Sequence, residues 1–242
     1  MDNLFLFPNF SGEVVSLITF ICEVGIMLFM VKFWGKAGLC VYMVLACVLG
    51  NVQVMKLGLF DSYAHPVALG TITFCTSFLA TDILNEYYGA RAAKNGVYVS
   101  FFSIFAGFFM MYLTLMHPFP EGDEGHNAMR LLFLPLPRFL IASWIAYLVS
   151  QRVDVAIYSF FKLKNPKNMI WIRAIVSLCF SAFLDNTIFS VTAFYFLEAN
   201  PVSGEALWHT YILGTYALRV VFSFLSVPMI YLAKSFIPKN GD

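Results

Sequence analysis

Charge is the scarcest thing in this chain. Of its 242 residues only 12% are Asp, Glu, Lys or Arg, while 60% are hydrophobic and the mean hydropathy is +0.76. A soluble domain carries about 25% charged residues and about 45–50% apolar ones. A soluble chain of this length cannot hide so much apolar surface, so lipid must cover it. The formal net charge of +1, with no clustered basic face, excludes electrostatic binding of nucleic acid. P-loop, HExxH and GxSxG motifs are missing, so neither ATP hydrolysis nor an enzyme's hydrolytic constellation is expected. His65, His117, His126 and His209 are scattered without metal-ligand spacing, and no metal or cofactor is expected. The five cysteines (Cys22, Cys40, Cys47, Cys75, Cys179) sit in apolar runs without a CxxC pair and act as small hydrophobes. The opening "MDNLFLFPNF" carries Asp2 rather than a basic stretch, so no cleavable signal peptide is expected.

What is there is a series of long apolar runs. A bilayer core of about 30 Å needs about 20 such residues per helix. Seven runs qualify: 14–34, 38–58, 66–87, 96–117, 137–161, 169–197 and 206–236. Strands are not expected, because the runs are apolar all round instead of alternating. The fold class is therefore an all-α bundle of seven transmembrane helices in one domain over 1–242. Breaks fall at Gly35 and Gly38, His65-Pro66, "HPFPEGDEGHN", "LPLPR", "KLKNPKN" and "EANPVSGE". The stretch 125–134 is too short to cross and reads as an amphipathic or re-entrant piece.

Loop charge orients the bundle. Alternate connections hold Lys32 and Lys36, Arg91 and Lys94, then Lys162, Lys164, Lys167 and Arg173, then Lys234 and Lys239. The opposite set is acidic: Asp2, Glu13, Asp61, Glu121, Asp123, Glu124, Glu198 and Glu205, with Lys56 and Arg130 its few bases. The positive-inside rule makes the basic set cytoplasmic, with the N-terminus outside and the C-terminus inside. The expected place is the cell's inner membrane, crossed several times, with lipid as the surrounding partner.

Ionisable groups inside a bilayer cost about 2.5–3.5 kcal/mol on insertion scales and by default mark sites or paths. The runs contain Glu23, Asp82, Glu86, Arg138, Arg152, Asp154, Asp185 and Arg219, besides Asn51, Gln53, Gln151 and Asn186. Asn51, Asp185 and Arg219 fall near mid-bilayer, while Asp82, Arg152 and Asp154 are biased toward the cytoplasmic half. Glu86 follows Asp82 by one turn on the same face. Arg152 and Asp154 are about 200° apart around a helix and cannot face one cavity, whereas Asp154 aligns with Gln151. Arg152 either snorkels or faces inward, Arg138 either anchors a helix end or reaches a ligand, and Glu23 stands alone. Asp185 and Arg219 are either a structural ion pair or part of a site. Together these groups point to a polar cavity within the bundle.

Several stretches resemble one family. "FCTSFLATDILNEYYGARAAKNG", "RFLIASWIAYLVSQRVDVAIYSFFK", "AIVSLCFSAFLDNTIFSVTAF" and "YALRVVFSFLSVPMIYL" are similar, in that order, to motifs of the queuosine precursor transporter family, also called the vitamin uptake transporter family. The resemblance covers roughly 45–235, with Asn51 where that family has an Asn. It implies uptake of a 7-deazaguanine base, queuine or a queuosine precursor, by a six-helix core (38–236) with 14–34 as an added helix. Ala182, Cys75 and Arg152 depart from the pattern, which bears on which base is carried.

The candidate substrate contacts are Asn51, Phe78, Asp82, Glu86, Arg138, Gln151, Asp154, Asp185, Asn186 and Arg219. A guanine-like edge offers an N–H beside an amino group, which Asp82, Glu86 or Asp185 can accept. Asn51, Asn186 or Arg138 can reach the ring carbonyl, and aromatic faces can stack on the ring. Glu86 is either a second contact or a gate. A second expectation is a substrate-capture subunit for a separate ATP-driven motor, since the chain has no ATPase motif of its own. The partner is a small nucleobase-like molecule, and a homodimer is left open.

Overall fold

The computed structural model describes residues 10–133, 136–164, 170–198 and 201–238. Of the charges counted above, Asp2, Lys167 and Lys239 fall outside the described residues. The chain begins with α1, Gly12–Gln53, whose 42 residues would reach about 63 Å as one straight helix, twice a bilayer core. It is not straight. Gly35 adopts φ 53°, ψ −131°, which a residue with a Cβ rarely reaches, and the chain doubles back there. A side chain at Gly38 would run into the Met30 carbonyl, whereas eight residues of straight helix would hold the two about 12 Å apart. The helix thus has two arms, the first covering the run 14–34 and the second ending at Gln53, short of the expected 58.

The expected absence of strands does not hold in one place. β1 (Leu57–Phe60) and β2 (Tyr63–Ala68) pair antiparallel, Leu57 opposite Ala68 and Phe60 opposite Tyr63, with a bulge between Gly58 and Phe60. The stretch between Gln53 and Gly70 is too short to cross a bilayer, and Gly70, at φ 87°, ends α2 on this side. Its backbone groups therefore pair with each other. The hairpin loop is tied to the start of α1, where Glu13 accepts from the Ser62 amide at 2.7 Å and the Ser62 hydroxyl at 2.8 Å.

The next helix, α2 (Thr71–Tyr87), is shorter than the expected 66–87 and is buried on every face from Thr71 to Asn85, Phe74 being the half-buried exception. A helix enclosed all round is a central one, and α2 packs against α1, α3, α5, α6 and α8. α3 (Ala90–Leu115) starts earlier than expected, and α4 (Glu124–Phe133) is a short surface helix with no buried residue. α5 (Leu136–Lys164) and α6 (Ile170–Val191) form a long antiparallel pair. α6 runs on as a π-helical turn, Thr192–Phe196. After the three-residue α7 (Gly204–Ala206), a second π-helical stretch, Leu207–Leu213, leads into α8 (Gly214–Ala233).

Among the described residues, four helical stretches are long and apolar enough to cross a membrane: Gly12–Gln53, Ala90–Leu115, Ile170–Phe196 and Gly204–Ala233. Their outward faces carry Ile21, Phe29, Phe102, Phe109, Phe180, Val221 and Phe224, all about half exposed. The polar groups lie inside instead. This is a helical membrane protein with a polar interior.

Candidate functional site

The register of α5 against α6 positions much of the interior polarity. Ser150 donates to Asp185 at 3.1 Å, and four residues further along each helix Ser181 donates to Asp154 at 3.0 Å. Because i and i+4 share a helix face, these two bonds are successive rungs of one ladder. They divide the interior into two levels, one toward the hairpin and one toward the Gly35 end.

At the hairpin level Arg219 of α8 donates to Asp185 at 2.5 Å, the two side chains being 7% and 10% exposed. The Arg219 guanidinium stands 5.7 Å from the centre of the Phe74 ring. Asn186 donates to Thr215 at 2.7 Å, and Asn51 donates to the Cys47 carbonyl at 2.7 Å. Asn51, Asp185, Asn186 and Arg219 line one cavity with Phe74, Ser143, Tyr147, Phe189, Ser190, Phe194, Tyr211 and Thr215. Two of its aromatics come from the π-helical stretches: Phe194 and Tyr211 lie 4.1 Å apart, their planes inclined by 32°. π-helical turns cluster at functional sites because the extra residue re-aims its neighbours, and here it turns two rings over one cavity.

The cavity measures about 40 Å³, room for about three waters at roughly 10–15 Å³ each. A bicyclic base enters only if the walls move. Electrostatically the cavity holds one acid and one base in contact. A carboxylate has about four lone-pair sites. Ser150 and Arg219 occupy two of those on Asp185, so it can still accept from a ligand.

The second level, toward the Gly35 end, holds Asp82 and Asp154, both fully buried. They are neighbours where α2 packs on α5, since Asn85 of α2 donates to the Val155 carbonyl of α5 at 3.3 Å. Thr81 next to Asp82 donates to Gln151 at 3.0 Å. One turn beyond, Glu86 meets Arg173 at 2.6 Å and Lys162 at 3.8 Å, and accepts from Tyr158 at 3.1 Å. Lys162 also caps the end of α2 by donating to the Asn85 and Glu86 carbonyls, at 2.6 and 2.5 Å.

The expected contacts thus separate. Asn51, Asp185, Asn186 and Arg219 come together at the cavity. Asp82, Gln151 and Asp154 form a group of their own, Glu86 stands beyond them, and Phe78 is buried in the packed core rather than lining the cavity. Arg138 lies in α5, its side chain outside the described residues. Arg152 points out of the bundle, bonded to the Tyr98 hydroxyl and 5.2 Å from the centre of its ring. Glu23 is not alone: it accepts from Thr73 at 2.5 Å and Thr76 at 2.8 Å. Sequence reasoning missed Arg173, counted as a loop base but 2% exposed inside α6, and the cavity aromatics. The only hint of Arg173 was a Glu86 too deep to lack a partner.

A family model described as "Putative vitamin uptake transporter" matches residues 68–233. The chain belongs to the vitamin uptake transporter family. A protein of Bacillus subtilis named "Probable queuosine precursor transporter" is 32% identical over 236 residues, covering 97% of this chain and 98% of that one. A Haemophilus influenzae protein of the same name is 28% identical over 155 residues, 64% of this chain and 63% of that one. No solved structure matches. The family is one of transporters and not of enzymes. Every cavity residue from Thr71 onward falls within the family match, and Asn51 precedes it.

Proposed function

We propose that the chain imports a 7-deazaguanine base, a queuosine precursor or queuine, into the cytoplasm across the cell's inner membrane. On this reading seven helices span, the N-terminus is outside, and residues 38–236 are the six-helix transport core, with the first arm of α1 as a further helix. The hairpin then faces outward, and the Gly35 end, with its Lys and Arg residues, faces the cytoplasm.

The observation that carries this reading is Asp185 held beside Arg219, with lone pairs left over, in a cavity walled by aromatics. A guanine-like edge gives an N–H and an amino group to the carboxylate, and Arg219 or the amides of Asn51 and Asn186 take the ring carbonyl. Phe74, Phe194 and Tyr211 supply stacking surfaces, worth about 1–3 kcal/mol per base. Arg138, at the head of α5, is a further cation for the carbonyl as the base enters. A site that pairs both polar edges rejects a ligand lacking them strongly. The names borne by the two relatives support the same cargo. Glu86, clasped by Arg173 and Lys162, acts as the gate at the inner mouth, while Phe78, Gln151 and the acid pair lie along the path between cavity and gate.

Proteoliposomes containing only this chain test the proposal. Uptake of labelled queuine or precursor, competed by other 7-deazaguanines and not by adenine, is the expected result. Uptake that appears only when an ATPase partner is added would make the chain a capture subunit instead.

A further inference from the structure

The base cavity does not use the second polar level, where the charges do not balance. Arg219 is engaged by Asp185, and Arg173 and Lys162 are both engaged by Glu86. Asp82 and Asp154 lie in the fully buried interior outside these pairs. Asp154 has one oxygen on Ser181. Its other oxygen and both oxygens of Asp82 receive no donor from the protein. The two acids stand side by side where α2 packs on α5, between the bond from Thr81 to Gln151 at 3.0 Å and the bond from Asn85 to the Val155 carbonyl at 3.3 Å. Two ionised carboxylates cannot share such a site, because desolvation and mutual repulsion both oppose the second charge. One proton between them removes a charge and supplies the missing donor.

We propose that Asp82 and Asp154 form a proton-carrying pair that couples import of the base to inward movement of one proton. The coupling rests on the reading of the cavity given above. In the closed state one carboxyl holds the proton as an O–H directed at the other. On inward opening cytoplasmic water reaches the pair, accepts the proton as that O–H breaks and solvates the two carboxylates, and on outward opening water from the outside gives a proton back.

The groups that face the pair fit this role. Glu86, one turn along α2, stands with Tyr158 and Lys162 of α5 and Arg173 of α6 between it and the inner mouth. Ser181 of α6 supplies its hydroxyl to Asp154, while Ser177, one turn earlier, donates to the Ala174 carbonyl. On the cavity side are Gln151 with Thr81, and Asp185 one rung away through Ser150. Glu23, Tyr42 and Cys47 of α1 stand on the hairpin side, bonded to Thr73, Thr76 and Ser77 of α2. Tyr147 of α5 borders the cavity, and Tyr87 at the end of α2 bonds the Ile230 carbonyl of α8. Because Ser150–Asp185 and Ser181–Asp154 are rungs between the same two helices, a shift of α6 that opens Asp185 to a base also moves the donor that holds Asp154. That is the mechanical link between the two levels.

The test uses the whole chain in proteoliposomes loaded with a pH-sensitive dye, with labelled base outside. With one pH unit imposed, acid outside and no membrane potential, one proton per base supports about tenfold accumulation. The expected result is that accumulation, with internal acidification in step with it. In Asp82→Asn the acidification is lost and the base only equilibrates. Accumulation that follows a sodium gradient instead, base entry without proton movement, or an unchanged gradient response in both Asp82→Asn and Asp154→Asn would overturn the proposal. If no base crosses under any gradient, the cargo reading has failed and the pair is judged by infrared absorption of the purified protein. A carbonyl stretch of a protonated, buried carboxylic acid at neutral pH, present in wild type and absent from Asp82→Asn and Asp154→Asn, upholds the shared proton. Its absence from wild type overturns it.

Discussion

Arg219→Gln is the substitution whose consequence can be worked furthest from the geometry. Arg219 meets Asp185 at 2.5 Å, with both side chains no more than 10% exposed. Glutamine keeps most of the length and removes the charge. Asp185 then keeps only the Ser150 hydroxyl at 3.1 Å, so a carboxylate stays buried on one neutral hydrogen bond. Removing one partner of a buried pair costs about 3–5 kcal/mol, whereas single hydrogen bonds between membrane helices average about 0.6 kcal/mol. The expected loss is about 3 kcal/mol, a fall of about 6–12 °C in the thermal midpoint at about 2–4 °C per kcal/mol for a chain of this size. A loss of that size marks a stranded charge and not a missing bond. The double variant, Asp185→Asn with Arg219→Gln, removes both charges and should unfold within about 1 kcal/mol of wild type, since neutral replacement of a buried pair is often harmless. Its uptake should stay lost, because the base no longer finds a carboxylate. Thermal unfolding in detergent and labelled-base uptake read the two quantities separately. A double variant that regains transport along with stability would refute the reasoning, since the pair would then be structural only.

Tyr211→Ala removes one of the two rings over the cavity, so base affinity should weaken by about 1–3 kcal/mol, read as a roughly 5- to 150-fold rise in Kd with little change in thermal stability. Arg152→Leu loses only an outward contact with Tyr98. A cation–π contact at an exposed position is worth about 0.5–1 kcal/mol, so stability should move by no more than that, and uptake should be unchanged in the same vesicle assay. Gly35→Ala places a Cβ at φ 53°, ψ −131°. That strain is on the order of 1–3 kcal/mol, and the variant should unfold earlier and be nicked by protease between the two arms of α1.

How much of this is legible in the sequence depends on what each feature is made of. The helices are legible because burial in lipid demands long apolar runs, and the first two runs are separated at Gly35 because only glycine makes that reversal. Arg152 and Asp154 are separable in advance, since two residues of helix put them on different faces, and the structure has Arg152 outside and Asp154 buried. The hairpin at Leu57–Ala68 escapes notice because its strands are too short to show alternation, and Leu57 and Leu59 extend the preceding apolar run. Division of the polar groups into two levels depends on the register of α5 against α6, which is a matter of packing between helices and not of periodicity within one. Arg173 reads as a loop base because it follows a Lys-rich connection, yet only its partner on α2 reveals that it is buried. Phe194 and Tyr211 are aimed into the cavity by π-helical turns, and a sequence of 27 Phe and 12 Tyr does not mark which rings those turns select.

The account stands or falls on where the base binds. Equilibrium binding of labelled 7-deazaguanine base to the purified chain, with adenine as competitor and Asp185→Asn as control, tests it most directly. The account predicts saturable binding that adenine competes at least about a hundredfold more weakly, and its loss in Asp185→Asn. Equal competition by adenine, or full binding in Asp185→Asn, would contradict it.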